Sequence, residues 1–186
     1  MSAPARLSTL TEIDAAVWRE LARAPVDRHH EWRTPVLATA DGSGADARTV
    51  VLRETDADAR ELRLFTDARS GKVGQLQRHP QGTLVMWSKR LGWQLRLRVQ
   101  LQVQTDGLAV ASRWARLRQS PAAQDYLSPL SPGTPLDDTV LPRSAPERNH
   151  FALVTASIQS VDWLELHAEG HRRAVFDAAG GQWLTP

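Results

Sequence analysis

The longest regular pattern in the chain is WQLRLRVQLQVQT, residues 93–105. Leu95, Leu97, Val99, Leu101 and Val103 alternate there with Gln94, Arg96, Arg98, Gln100, Gln102 and Gln104. A period of two held over that length gives an extended strand one apolar and one polar face, and the length suits a long, bent barrel strand. Shorter apolar runs predict strands at 34–40 (TPVLATA), 48–54 (RTVVLRE), 61–67 (ELRLFTD) and 83–89 (TLVMWSK). Three more follow at 151–159, 160–166 and 171–177, before a closing GQWLTP. DGSGAD at 41–46 reads as a turn.

Helical spacing occurs in three places. Thr9 and Glu12 have the spacing of a capping box, and Leu10, Ile13, Val17 and Leu21 continue at helical intervals to about Ala24, within a helical N-terminal segment 1–30. SGKVGQLQR at 70–78 predicts a second helix, stopped by HPQG; 107–127 predicts a third, broken near Pro121. Residues 128–149 hold Pro129, Pro132, Pro135, Pro142 and Pro146 and read as an extended loop or flap. Hairpin-like strands with helices inserted between them argue for an α+β protein built on an antiparallel β-barrel, with 1–186 as a single domain, and against a doubly wound parallel sheet.

Composition narrows the function classes. The 186 residues are enough for a buried core, and 41% of them are hydrophobic. Cysteine is absent, which excludes disulfides and thiolate metal sites and fits a reducing, cytoplasmic setting. No signal-peptide apolar region and no run of the ~20 residues needed to span a bilayer is visible, so no membrane association is expected. The pI of 9.6 hints at anionic partners, but the net charge is only +2. Lys72 and Lys89 are the only lysines; the remaining positive charge is arginine spread among acids, without the aromatic interleaving of a nucleic-acid surface. The six histidines show no metal-ligand spacing, so no metal site is expected.

FTDARSGKVGQL, residues 65–76, looks like half of a phosphate loop. A Walker A loop requires glycine where Thr66 stands and Ser or Thr where Val73 stands, so a nucleotide triphosphatase is excluded. The remaining features still suit a metal-free monophosphate: a helix start with unpaired N–H groups, the hydroxyl of Ser70, and the charges of Arg69 and Lys72. The residues alone equally admit a Ser70-capped helix with solvated cations. In RTVVLR, Arg48 and Arg53 fall on an even and an odd position and are predicted to leave the strand on opposite faces. Either one turns inward or across a subunit boundary, where it needs a partner, or both are solvated on an edge strand.

Taken together, RTVVLR (48–53), LFTDARSGK (64–72), WQLRLR (93–98) and VDWLELHAEGHRRAVF (161–176) resemble the pyridoxamine 5′-phosphate oxidase-like flavoproteins, in particular a bacterial branch of oxidase-related FMN-binding proteins. The resemblance implies a split β-barrel, FMN as cofactor, and a homodimer with flavin sites at the subunit interface. It places Arg48, Thr49, Val50, Val51, Leu52 and Arg53 along the flavin and Phe65 and Thr66 beside it. Arg69, Ser70 and Lys72 fall on the phosphate and Gln94 on the ring. Trp163 and Arg173 come from the partner subunit. Gly71 stands where the family often has arginine, and Arg69 is the residue placed to compensate. Without the family match, Gln94 reads as solvent-exposed and Trp163 as a core or interface residue.

For substrate, the resemblance implies Arg53, Trp114, Arg118 and His171, the last otherwise an ordinary surface histidine. The vitamin-processing oxidases hold substrate phosphate with an arginine where this chain has Glu169, and the small hydroxyl residue one turn after Arg118 is Ala122. An acid in that place repels a phosphate, so pyridoxamine phosphate is not the expected substrate. No catalytic dyad stands out, and none is required when the flavin carries the chemistry. The expected activity is hydride transfer to flavin N5 from a small substrate or nicotinamide; the alternative is a non-catalytic flavin-binding or sensing protein.

Overall fold

A computed structural model describes residues 6–136 and 149–186. Helix α1 (Leu10–Arg23) begins at the expected capping box: Glu12 N–H donates to Thr9 Oγ1 at 3.2 Å and Thr9 N–H donates to Glu12 Oε2 at 3.0 Å. Ile13, Val17 and Leu21 face the core from it. A 3₁₀ turn (Glu31–Arg33) leads into β1 (Val36–Ala40), β2 (Ala45–Thr49), β3 (Leu52–Asp56) and β4 (Glu61–Asp67). Helix α2 (Gly71–Arg78), β5 (Gln81–Ser88) and β6 (Trp93–Gln104) follow. Helix α3 (Leu108–Leu117) and a 3₁₀ segment (Pro121–Tyr126) precede β7 (Phe151–Glu165), β8 (Arg172–Asp177) and β9 (Gly180–Leu184).

Every strand pairing is antiparallel, in the order β2-β1-β5-β6-β7-β4-β3, with β8 and β9 branching from β7. The fold is an α+β split barrel. Its path ends at β2 and β3, which are consecutive in sequence but not paired with each other, so the barrel is split at Val50 and Val51. The predicted strand 48–54 is therefore two strands. Val50 N–H donates to Pro35 O at 2.9 Å instead of continuing a ladder. Conversely, the predicted strands 151–159 and 160–166 are one strand of 15 residues. Its first half pairs with β4 and its second half with β8, while β6 runs along its other edge throughout. The expected turn at 41–46 gives up Ala45 and Asp46 to β2, and GQWLTP supplies β9. Of the Pro-rich segment 128–149, residues 137–148 lie outside those described; 128–136 carry neither helix nor strand.

The period-two face of β6 points inward as read: Leu95, Leu97, Val99 and Leu101 are buried and the intervening residues are not. At one end the core is aromatic. Trp93 packs 6.5 Å from Trp32 and 5.5 Å from Trp163 (ring centroids), and Trp163 lies 6.4 Å from Trp183. A second cluster of Val110, Tyr126, Phe151 and Leu153, with Phe65 and Trp114 against it, fastens α3 and the 3₁₀ segment to β4 and β7.

Candidate functional site

The split in the barrel also forms the candidate site. A cavity of about 210 Å³ opens there, lined by Thr49, Val50 and Val51 at the break, by Arg48 and Arg53 on either side of it, and by Phe65, Thr66 and Lys72. The break removes the alternation that set Arg48 and Arg53 on opposite faces of one strand; on separate strands, both border the same cavity.

At its cationic end, Lys72 Nζ donates to Thr66 Oγ1 at 3.0 Å and to Ser70 Oγ at 3.2 Å. Ser70 is the N-cap of α2, yet its hydroxyl does not cap the helix; it faces Thr66 Oγ at 3.2 Å. The first N–H groups of α2 are thus left without that partner, at the positive end of the helix dipole. Arg48 is held by three elements: Nη1 donates to Thr39 Oγ1 at 2.6 Å, Nη2 to Gln75 Oε1 at 2.9 Å, and it pairs with Asp46. Half-buried Lys72 has its pKa lowered, first by burial and then by the charge of Arg48, with Asp67 and Asp46 pulling partly the other way.

At the other end, the guanidinium of Arg53 lies 5.6 Å from the centroid of the Phe65 ring, and its buried Nε has no partner. Tyr126 closes this wall; burial raises its pKa and the nearby Arg53 lowers it, with the net shift upward. The chemistry is that of a phosphate cradle joined to a mostly apolar slot with one unsatisfied donor. Those features fit the phosphate and the flat, polar-edged ring of FMN.

Several expected residues lie elsewhere. Arg69 does not reach the cavity: its Nε and Nη2 donate to Asp67 at 3.0 and 2.7 Å, and Nη2 and Nη1 donate to the carbonyls of Ser128 and Pro129 at 2.9 and 3.3 Å. It ties the 128–136 segment to the start of α2 and does not replace the arginine absent at Gly71, where an added Cβ meets nothing within 4 Å. Leu52 is wholly buried in the core, so only its backbone is left for a ligand.

Gln94 and Arg173 share one row on the outer sheet face, running Trp87, Gln94, Leu164, Arg173 across β5 to β8. Neither lines the cavity: its residue Val154 pairs with Val103, nine residues from Gln94 on β6, and its residue Leu37 is joined through Leu84 to Leu97, three residues from Gln94 and on the opposite face of the strand. Trp163 points the opposite way: it is 0% exposed within the tryptophan cluster, so its side chain cannot reach a neighbouring subunit, and Leu164 is the residue β7 presents between Gln94 and Arg173. Arg173 donates to Asp162 at 3.0 and 2.7 Å, and Arg96 pairs with the same carboxylate.

Of the substrate candidates, only Arg53 lines the cavity. Trp114 is packed 5.8 Å from Phe151 and 6.4 Å from Tyr126, Arg118 is exposed at the end of α3, and His171 is exposed before β8, its Nδ1 accepting from His167 N–H at 3.2 Å. Sequence reasoning missed Leu37, Leu64, Asp125, Tyr126 and Val154 as cavity residues. The signal for Asp125 and Tyr126 was Pro121, which ends the α3 direction and turns the chain back over the split.

Residues 15–105 match the family described as pyridoxamine 5′-phosphate oxidase, FMN-binding domain. A pyridoxine/pyridoxamine 5′-phosphate oxidase of Caulobacter vibrioides is 30% identical over 164 residues, covering 80% of this chain and 72% of that protein. The chain belongs to the pyridoxamine 5′-phosphate oxidase-like FMN-binding family. FMN is the cofactor of this domain. The same-named oxidase of Maricaulis maris is 41% identical over 85 residues, 45% of this chain and 37% of that one. In fold, a pyridoxamine 5′-phosphate oxidase-related, FMN-binding protein of Nostoc punctiforme superposes with a TM-score of 0.73 at 24% identity, covering 98% of this chain and 100% of that one. PhzG of Burkholderia lata, solved with tetrahydrophenazine-1-carboxylic acid, superposes with a TM-score of 0.75 at 18% identity over the full length of both. No helix among the described residues is long and apolar enough to cross a membrane.

Proposed function

We propose that this member of the family is a homodimeric, cytoplasmic FMN-dependent oxidoreductase whose flavin sites each use residues of two copies. The observation that carries the reading is the convergence of Arg48, Arg53 and Lys72 on one split-barrel cavity beside an uncapped helix start. In this reading Lys72, Arg48, the hydroxyls of Ser70 and Thr66, and the first N–H groups of α2 hold the phosphate. Val50, Val51 and Phe65 flank the ring, and the orphaned Nε of Arg53 donates to its polar edge. FMN held there would supply two-electron redox chemistry, with a small reduced substrate or a nicotinamide as the hydride donor. The protein's share is to bind, orient and exclude water.

Two observations support the second copy. The cavity of about 210 Å³ is smaller than the roughly 300–1000 Å³ that encloses a whole drug-sized ligand, so part of a flavin is left for another surface to cover. The outer face offers such a surface: Trp87 and Val36 are 45% and 38% exposed there, beside Gln94, Leu164 and Arg173. Sedimentation of wild type and Trp87→Glu tests this; a monomeric wild type removes the dimer from the reading.

Anaerobic mixing of the flavin-loaded protein with NADH, NADPH, pyridoxine phosphate and pyridoxamine phosphate tests catalysis, with bleaching of the flavin absorbance as the expected result for at least one donor. Protein that takes up no FMN on titration ends the reading altogether. A non-catalytic flavin-binding role is favoured by the exposed Glu169, the outward Arg118 and the packed Trp114, which leave the oxidases' phosphate grip unformed. A flavin that no donor bleaches selects that alternative.

A further inference from the structure

We infer that Gln75 is a positioning residue for the flavin phosphate: from outside the cavity it orients the guanidinium of Arg48 and sets its separation from Lys72. The inference rests on the flavin reading above and deepens it by naming what keeps the phosphate end in shape.

Thr39 lies opposite Asp46 and Leu37 opposite Arg48 across β1 and β2, so Thr39, Asp46 and Arg48 share one sheet face. From α2, Gln75 reaches all of them. Its Oε1 accepts from Thr39 Oγ1 at 2.7 Å and from Arg48 Nη2 at 2.9 Å, and its Nε2 donates to Asp46 Oδ2 at 3.0 Å. Arg48 closes the ring by donating to Thr39 Oγ1 at 2.6 Å and pairing with Asp46. An amide fits the centre of this ring because it turns an acceptor to the hydroxyl and guanidinium and a donor to the carboxylate. The Asp46 carboxyl is held below the usual carboxylate range, by the Gln75 amide first, and so stays an anion against Arg48.

The ring engages both terminal nitrogens of Arg48. Nη1 donates to Thr39 and points to Leu37 O at 3.5 Å, while Nη2 donates to Gln75 and to Asp46. Among the described residues Nε alone keeps no partner. Arg48 therefore acts on an anion through its charge and Nε, and both depend on where the ring holds the guanidinium. Lys72 and Gln75 lie one helical turn apart on α2 and share a face of it. Lys72 turns to Thr66 and Ser70, and Gln75 to Arg48. The two cations thus come from different elements, and Gln75 joins the helix of one to the side chain of the other. Arg48 and Lys72 line the cavity whereas Gln75 and Thr39 do not, so the ring acts through Arg48 and not by touching the ligand.

Fluorescence titration of FMN and riboflavin with wild type, Gln75→Met, Arg48→Met and the double variant tests the inference. Methionine keeps the length of glutamine and suits a helix. Gln75→Met is expected to weaken FMN by about five- to tenfold, the effect of one lost hydrogen bond. Riboflavin, which lacks the phosphate, should change by less than about twofold. In the Arg48→Met background Gln75→Met should cost less than about twofold more, because the group it positions is gone. Thr39→Val cuts the ring at another corner, leaves α2 unaltered, and should repeat the selective loss of FMN. The inference is overturned by equal losses for both flavins, by unchanged FMN affinity in Gln75→Met, or by a loss that adds in full to that of Arg48→Met. A wild type that takes up neither flavin ends the flavin reading by itself. Inorganic phosphate titrated into the same proteins then decides for Gln75 if it shows the same pattern of loss, and against it if wild type binds no phosphate or the variants bind it equally.

Discussion

Lys72 and Arg48 bring two positive charges into one cavity, and the ammonium of Lys72 is held below its ordinary pKa range by burial first and by Arg48 second. Like charges kept together are unfavourable; Asp46, paired with Arg48, offsets part of the repulsion, and a dianion between the two cations relieves the rest. The arrangement weakens the empty fold slightly and strengthens it when an anion is bound.

Lys72→Met should therefore separate binding from stability. FMN affinity is expected to fall by about 10- to 100-fold, the range for losing a charged hydrogen bond. Thermal stability of the flavin-free protein should be unchanged or higher. Flavin fluorescence titration and a melting curve check the two halves; lower stability with unchanged FMN affinity contradicts this account of Lys72.

The pH dependence follows from the direction of the same shift. A lysine whose folded pKa is depressed binds fewer protons in the native state than in the unfolded state between the two pKa values, so Lys72 makes stability rise with pH across that window. Anion binding runs the opposite way, because it requires the protonated ammonium. Affinity for inorganic phosphate or FMN should decline as pH rises through the depressed Lys72 pKa, below the range where an ordinary lysine titrates. A phosphate titration series across alkaline pH checks the sign, with Lys72→Met expected to remove the decline.

Arg69→Ala should have little direct effect on the flavin, in contrast with Lys72→Met, because its guanidinium is engaged by Asp67 and by the carbonyls of Ser128 and Pro129. Faster proteolysis within 128–136 is expected, with FMN affinity changed by less than about threefold. A loss as large as that of Lys72→Met would return Arg69 to the phosphate site.

Gly71→Arg should tighten FMN binding. The first helical position of α2 has open space around its missing Cβ, and its φ is not positive. A guanidinium there adds a charged donor at the helix start, worth roughly three- to tenfold in affinity. Weaker binding would place the phosphate away from the start of α2.

Trp163→Ala tests the inward orientation of that residue. Removing a fully buried indole from the cluster with Trp93 and Trp183 should cost about 3–5 kcal/mol. Chemical denaturation of the flavin-free protein measures it; a near-neutral change would mean that the indole sits at a surface after all.

The barrel was legible wherever one face of a strand is buried, because alternation is then enforced by solvent. The β6 pattern from Leu95 to Leu101 became structure residue for residue. Arg48 to Arg53 misled because apolar Val50 and Val51 look like a strand centre, whereas they line the opening between two strands. Apolar character marks removal from water, and a cavity wall meets that condition as well as a core does. Trp163 misled through one step of register: consecutive strand residues face opposite ways, so a motif match that fixes the neighbourhood does not fix which residue faces out. The grouping of Ser70 and Lys72 at the start of α2 was readable locally, since a helix start and its first turn are contiguous in sequence. The wall made by Asp125 and Tyr126 was not, because it comes from a segment nearly 60 residues away from Thr66, the cavity residue on β4 that precedes α2.

The strand β7 exchanges one neighbour for another halfway along while β6 follows it from end to end. It thereby works as a ruler: Val154 at one end marks the cavity, Leu164 near the other marks the outer face, and the spacing between them is set by peptide geometry alone. An insertion anywhere in β7 would change that spacing and the register against β6 with it, while the loops around the strand remain free to vary.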